Sequence, residues 1–89
     1  MPAISMFFGI VIYMYFFDDE MHKTPHIHAR YQGKEASLSI TDASVLAGSL
    51  PGPKLRLVQA WIEIHRDELV ADWELAVSGQ PPFAIDPLR

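Results

Sequence analysis

The chain has 89 residues, 49% of them hydrophobic, with no cysteine and a formal net charge of −4. This length predicts one domain, and the apolar content excludes a disordered chain. The lack of cysteine excludes disulfides, thiolate nucleophiles and sulfur-bound zinc, while the acidic balance argues against binding to nucleic acid through phosphates alone.

The first predicted elements are strands. The run ISMFFGIVIYMYFF, residues 4–17, is rich in aromatic and β-branched side chains and shorter than the roughly 20 residues of a membrane-spanning helix. It also lacks the basic start and cleavage site of a signal peptide, so we expect a cytoplasmic protein without a membrane segment. One strand is predicted over residues 4–8, a turn or bulge at Gly9, and an interior strand over residues 10–17, which is apolar on both faces.

A β-hairpin is predicted next, in HIHARYQGKEASLSIT. Gly33-Lys34 has the Gly-X form of a two-residue type II′ turn, and pairing across it places His28 opposite Ser39. Because side chains alternate along a strand, the hairpin has an apolar face, expected to pack the core, and a polar face, expected to point outward. The apolar face collects Ile27, Ala29, Tyr31, Ala36, Leu38 and Ile40, and the polar face collects His26, His28, Arg30, Gln32, Glu35, Ser37, Ser39 and Thr41.

The rest of the chain is predicted to be an edge strand or loop, ASVLAGSLPGP, followed by helix. Residues 54–77 contain no glycine or proline and place apolar side chains three and four positions apart. Asp67 suits an N-cap or a first-turn acid, which predicts a break near residues 65–67. Gly79 is expected to end the second helix. An extended tail should then be held by Phe83, Ile85 and Leu88.

These elements predict a single α+β domain over residues 1–89. An antiparallel sheet of three to five strands, within the β-rich residues 1–50, packs against two C-terminal helices or one bent helix, within residues 53–78. Residues 79–89 form the tail. The helices are expected to cover the apolar face of the hairpin.

The titratable side chains of the helices are expected to be structural. His65 follows the apolar stripe and is predicted to be a hydrogen-bonded residue at the edge of the core. The acidic residues are expected to form a solvated surface, which disfavours a DNA-reading helix. They are Glu63, Asp67, Glu68, Asp72 and Glu74.

The polar hairpin face carries two kinds of candidate chemistry, of which the first is metal binding. His26 and His28 project from the same side of one strand with Cα atoms roughly 7 Å apart, close enough to share an ion. His22 or the acids at residues 18–20 could complete such a site. H-x-H is a weak signal, however, and we predict no metal ligand set and no cofactor.

The second kind is acid–base chemistry on an anionic substrate. His28 and His26 are the candidate proton-transfer groups, and the planar fork of Arg30 suits a phosphate. Together with neutral donors and a ring on which a base could stack, these are the groups that a metal-independent ribonuclease needs. An ordinary solvated face and a protein interface explain the same residues. The candidate substrate-binding residues are Tyr13, Tyr15, Ser37 and Ser39.

Three stretches carry a family resemblance: MPAISMFFGIVIYMYF, PHIHARYQGKEA and LRLVQAWIEIHRDELVADWELAVSGQPP. In them the chain resembles a bacterial family of unknown function, number 4160. Members of that family have an aromatic residue between the two histidines, where this chain has Ile27, and a proline-rich lead-in, where it has Lys23 and Thr24. The resemblance implies a small neighbour-encoded partner and a toxin–antitoxin-like pair, with this chain as the toxin.

The leading prediction is therefore a cytoplasmic, toxin-like protein that acts on RNA or a nucleotide through the polar face and binds a small antitoxin-like protein. The alternative is a non-catalytic interaction module that binds its neighbour-encoded partner, or a second copy of itself as a homodimer, through the same face. Neither interpretation involves a membrane or double-stranded DNA. Whether the protein is an enzyme stays open between them.

Overall fold

A computed structural model describes residues 3–15 and 24–88 of the chain. Within these ranges five strands form one antiparallel sheet, in the order β1-β2-β3-β4-β5, and two helices follow them. The predicted α+β fold is thereby confirmed. The elements are β1 (Ala3–Phe7), β2 (Ile10–Tyr13), β3 (His26–Tyr31), β4 (Lys34–Ser39), β5 (Val45–Gly48), α1 (Gly52–Ile64) and α2 (Arg66–Val77).

One face of the sheet packs against both helices. Trp61 of α1 is fully buried, and its indole N–H donates to the carbonyl oxygen of Asp86 at 2.8 Å. Each apolar side chain buried in this layer contributes roughly 1.5–3 kcal/mol relative to exposure, so this layer dominates the stability of the fold. As predicted, the apolar face of the hairpin lines it. The fully buried members are Ile10, Ile12, Met14, Ile27, Ala29, Leu38 and Ile40 from the strands and the residues that directly follow them, and Val58, Trp61, Ile62, Leu69 and Ala76 from the helices.

The β3-β4 turn lies one residue earlier than predicted. Gln32 and Gly33 form the two-residue connection, and both have positive φ, 47° and 79°. A type I′ turn requires this, and its twist matches that of the flanking strands. The pairing therefore shifts by two residues on β4, so that His28 lies opposite Ser37 and not Ser39. Because a two-residue shift preserves alternation, the paired strand residues keep their predicted faces, while Gln32 of the predicted polar face lies in the turn.

β5 is the edge strand that the sequence offered as one alternative. It pairs with β4 through an irregular register. Gly48 lies opposite Ala36 with a φ of +74°, and a Cβ atom at this position would overlap the carbonyl oxygen of Glu35. The close approach of the two backbones therefore requires glycine here.

The helical half breaks and ends where predicted. His65 separates α1 from α2 with φ −108° and ψ 22°, and Asp67 lies in the first turn of α2, where an acid interacts favourably with the helix dipole. After α2, Gly79 has a φ of 80°. Its N–H and that of the next residue donate to the carbonyls of Ala76 and Leu75 at 3.1 and 2.9 Å. This pair of hydrogen bonds is a Schellman motif.

The C-terminal tail is held by its backbone and by two of the three predicted side chains. The N–H of Ile85 donates to the carbonyl oxygen of Ile4 at 2.8 Å, which ties the tail to β1. Ile85 is buried and Leu88 packs against the core. The prediction that Phe83 also anchors the tail is wrong, because this ring is 73% exposed.

Asp72 is buried, which corrects its predicted place on a solvated acidic surface. Oδ1 accepts the N–H of Phe83 at 2.9 Å, while Oδ2 finds no hydrogen-bond partner among residues 3–15 and 24–88. Desolvation therefore raises the pKa of Asp72 above 3.8, with a smaller increase from Glu68 and a partly opposing decrease from the Phe83 hydrogen bond. The buried carboxyl links the tail to α2 at a cost in desolvation.

Asp72→Asn is expected to remove a pH-dependent loss of stability. Because the pKa is raised in the folded state, the unfolded chain loses this proton first, and stability falls as pH rises from about 3.8 through the folded value. Asparagine keeps an acceptor for the N–H of Phe83 but cannot ionise. The difference in free energy of unfolding between the variant and the wild type, measured in urea from pH 3.5 to 7, should shift in favour of the variant as pH rises over this interval.

Glu74→Gln is the matched control, because Glu74 is an exposed acid on the same helix. It should alter the pH profile less than Asp72→Asn does. Equal profiles for wild type and Asp72→Asn would contradict the raised pKa of Asp72.

Candidate functional site

The second sheet face, which we call the histidine face, holds every predicted catalytic and substrate-binding residue. Side chains from β2, β3 and β4 lie opposite one another in rows, and Tyr15 follows β2 on the same side, with its ring against His28. The rows are Val11, Arg30 and Glu35; Tyr13, His28 and Ser37; and His26 with Ser39.

His28 lies at the centre of this face. Its Nδ1 is 3.2 Å from the hydroxyl of Ser37 and 3.7 Å from Oε2 of Glu35. The Tyr15 ring covers the imidazole, with 4.3 Å between the two centroids. The side chain of His28 is 12% exposed. Polar atoms on β4 and an aromatic ring from the end of β2 therefore orient the imidazole from two sides.

Arg30 is the exposed cation of the face. One terminal nitrogen contacts Oε1 of Glu35 at 3.1 Å, and Cζ lies 5.6 Å from the centroid of the Tyr13 ring. Half of the arginine side chain remains exposed. The rings of Tyr13 and Tyr15 are stacked, 6.2 Å apart and inclined by 16°. A guanidinium and two parallel rings thus lie beside the imidazole.

His26 occupies the buried end of the face. It is 0% exposed, and its Nδ1–H donates to the carbonyl oxygen of Thr24 at 2.9 Å. Since a carbonyl only accepts, the neutral ring carries its lone pair on Nε2. The ring centroid lies 5.0 Å from that of Trp73 and 5.1 Å from that of His28. His26 therefore packs between α2 and the central imidazole.

The expectation that the whole polar face points outward is wrong at this end. Ser37 and Ser39 are buried as well as His26, whereas Arg30 reaches solvent. The cause is a long-range contact, because Trp73 of α2 reaches His26. The face thus changes from buried at the His26 row to exposed at the Arg30 row.

Sequence reasoning missed the role of Glu35. It placed this residue on the correct face but, with the turn one residue late, did not bring it to Arg30. The available signal was the cross-strand pairing of opposite charges, worth roughly 0.2–1 kcal/mol, which favours the register that places Arg30 opposite Glu35. His65, in contrast, makes the predicted kind of contact, with its Nδ1 2.7 Å from a carboxylate oxygen of Glu68.

The metal alternative remains a prediction. In the described part of the chain, no three histidine or acidic side chains are grouped closely enough to hold an ion. The further ligands considered, His22 and the acids at residues 18–20, lie outside the described residues. Within residues 3–15 and 24–88 the surface encloses no pocket. None of the helices described is long and apolar enough to cross a membrane.

A family model matches the part of the chain that forms the histidine face. The family model "Domain of unknown function (DUF4160)" matches residues 9–74, from the first turn to α2. The chain belongs to the DUF4160 family. The matched segment of this DUF4160 protein includes all of the histidine face and Trp73, which closes its buried end. No curated protein and no solved structure matches the chain significantly.

Proposed function

We propose that this DUF4160 protein binds RNA or a nucleotide at the histidine face and cleaves a phosphodiester, as the toxin-like component of a bacterial toxin–antitoxin pair in the cytoplasm. The supporting observation is one connected group: Glu35 lies 3.1 Å from the Arg30 guanidinium and 3.7 Å from Nδ1 of His28. An imidazole, an adjacent carboxylate and an exposed guanidinium are suited to proton transfer beside a phosphate.

In the proposed reaction His28 takes the proton of a ribose 2′-hydroxyl. The resulting oxygen attacks the neighbouring phosphorus, the bond to the 5′-oxygen breaks, and the imidazolium returns its proton to that leaving oxygen. Arg30 stabilises the negative charge on the phosphoryl oxygens. The products are a 2′,3′-cyclic phosphate and a free 5′-hydroxyl, so atoms and charge balance.

The remaining candidate residues are proposed to bind the bases of the substrate and to position the His28 ring. Tyr13 and Tyr15 present parallel rings, which suit the stacking of unpaired bases. Ser37 holds Nδ1 of His28, and His26 supports the central ring from its buried side. Because stacking needs splayed bases, single-stranded RNA is the expected substrate.

Arg30→Ala tests the substrate class. Loss of one charged contact to phosphate is expected to weaken the binding of a short single-stranded RNA by about 10- to 150-fold, since such hydrogen bonds contribute about 1.5–3 kcal/mol. Fluorescence anisotropy at fixed salt measures this change. Arg56→Ala is the control, because Arg56 is an exposed arginine on α1 away from the histidine face. Equal affinities for the two variants, or no binding by the wild type, would contradict the proposal.

The alternative function is a non-catalytic interaction module. Met6 pairs with Val11, so it extends the Arg30 row, and it is 66% exposed. A row that joins an exposed apolar side chain to an arginine suits a protein interface. Expression of the wild type distinguishes the two functions. Unchanged growth and intact RNA, together with a stable complex with the neighbour-encoded protein or a homodimer, would favour the module.

A further inference from the structure

Glu35 bridges the two groups on which the proposed reaction depends. Oε1 lies 3.1 Å from a terminal nitrogen of Arg30, and Oε2 lies 3.7 Å from Nδ1 of His28. Each oxygen of one carboxylate thus faces a different partner. A change at either partner alters how much of the negative charge the other receives.

The contact with Arg30 is the one that a ligand can displace. It uses a single guanidinium nitrogen, and the side chains of Arg30 and Glu35 are 50% and 38% exposed. Ion pairs with this exposure are weak because solvent screens them. A phosphate can instead form two parallel hydrogen bonds with the guanidinium fork. A phosphate ligand therefore competes effectively with Glu35 for Arg30.

The contact between Glu35 and His28 is expected to strengthen when a phosphate displaces Glu35 from Arg30. His28 is largely buried, so its interactions are less screened than those of Arg30. A carboxylate only accepts, and a carboxylate turned towards Nδ1 favours the tautomer with hydrogen on Nδ1 and the lone pair on Nε2. Among the described residues, the groups beside the ring on this face are His26 and Arg30 from β3, Glu35 and Ser37 from β4, and Tyr13 and Tyr15 from β2 and its continuation.

We propose that Glu35 is the positioning residue of the histidine face and couples phosphate binding at Arg30 to the tautomer of His28. In the free protein the carboxylate is shared. When a phosphate binds the guanidinium, the carboxylate turns to His28 and fixes the hydrogen on Nδ1. The inference rests on the proposed function for its substrate, a phosphodiester, but the coupling itself needs only a phosphate.

The test compares the wild type with Glu35→Ala, with inorganic pyrophosphate as the probe. ¹⁵N NMR of the His28 ring reports the tautomer, and the Arg30 Nε signal reports binding. Pyrophosphate should increase the Nδ1–H form in the wild type and have little effect on it in the variant. Because the variant lacks the competing carboxylate, it should bind pyrophosphate about two- to fivefold more tightly, the range expected for an exposed ion pair.

Two further variants exclude a merely structural role. Glu63→Ala removes a different exposed carboxylate, paired with Arg66 at 2.7 Å, and should behave as the wild type. Glu35→Asp keeps the charge with a shorter reach and should restore part of the tautomer response. With RNA, Glu35→Ala should lower kcat while KM falls or stays constant, whereas a loosened site would raise KM.

The experiment can test the coupling separately from the proposed RNA cleavage. If RNA is not cleaved but pyrophosphate shifts the His28 tautomer only when residue 35 is acidic, the coupling stands and the reaction fails. If pyrophosphate produces no response in the wild type, or the same response in wild type and Glu35→Ala, the coupling is overturned. Unchanged affinity in Glu35→Ala would equally overturn the competition for Arg30.

Discussion

Replacement of His28 by alanine is expected to lower the rate of RNA cleavage by about 10²–10⁴-fold, the contribution of a positioned acid–base group. The proposed step depends on this imidazole at both ends, since it removes the proton from the attacking hydroxyl and returns it to the leaving oxygen. The imidazole lies on the histidine face and not in the helix-covered core, so the fold should survive the change. Initial rates on a short single-stranded RNA measure the effect, with circular dichroism to verify folding.

The matched control for this experiment is His65→Ala. Like His28, His65 presents Nδ1 to a glutamate, here Glu68 at 2.7 Å, and its side chain is 14% exposed. It lies at the junction of the helices, away from the histidine face. A comparable loss of rate in both variants would show that the assay reports stability, and full activity in His28→Ala would remove His28 from the mechanism.

Gly48→Ala is expected to destabilise the protein by about 2–5 kcal/mol. The left-handed conformation at φ +74° costs an L-residue about 1–2 kcal/mol, and the overlap of its Cβ with the carbonyl oxygen of Glu35 adds about 1–3 kcal/mol as β5 is pushed from β4. Backbone atoms cannot move aside as a flexible side chain can. Urea unfolding at neutral pH measures the loss as a lower transition midpoint.

Gly33→Ala separates the two contributions. Gly33 has nearly the same φ, +79°, but apart from its two chain neighbours no described residue has an atom within 4 Å of the position its Cβ would take. Only the conformational cost of about 1–2 kcal/mol should therefore appear. If the two variants lose the same stability, the steric argument for Gly48 is wrong. Because the overlapping oxygen belongs to Glu35, Gly48→Ala should also disturb the pairing of that residue with Arg30.

The placement of the candidate site could be predicted only in part. Alternation along β3 is sufficient to put His26, His28 and Arg30 on one face, whatever the partner strand does. It cannot tell which residues of β4 lie opposite them, since that depends on the turn. Both Gln32-Gly33 and Gly33-Lys34 contain a glycine able to adopt positive φ, and the two choices give the same faces with different neighbours. The role of Glu35 follows from the first choice alone.

Burial of polar groups could not be predicted at all from local pattern. Asp72 falls at a position that reads as an exposed helix face, yet the tail covers it and donates a backbone N–H to it. His26 reads as a residue of a wet strand, yet Trp73 packs on its ring. In both cases the covering group lies outside the local stretch of sequence, and nothing in the neighbouring residues indicates that it will pack there.

Short-range patterns in the sequence therefore account for most of the secondary structure and for which side chains share a face. Period-two alternation determines the strand faces, and spacing of three and four residues determines the helices. Asp67 and Gly79 mark where the second helix begins and ends. Each of these signals depends on neighbours within a few residues. Packing between distant segments accounts for the closing of the histidine face by α2 and for the route of the tail. Those contacts depend on the total free energy of the folded chain, to which all of the buried surfaces contribute together.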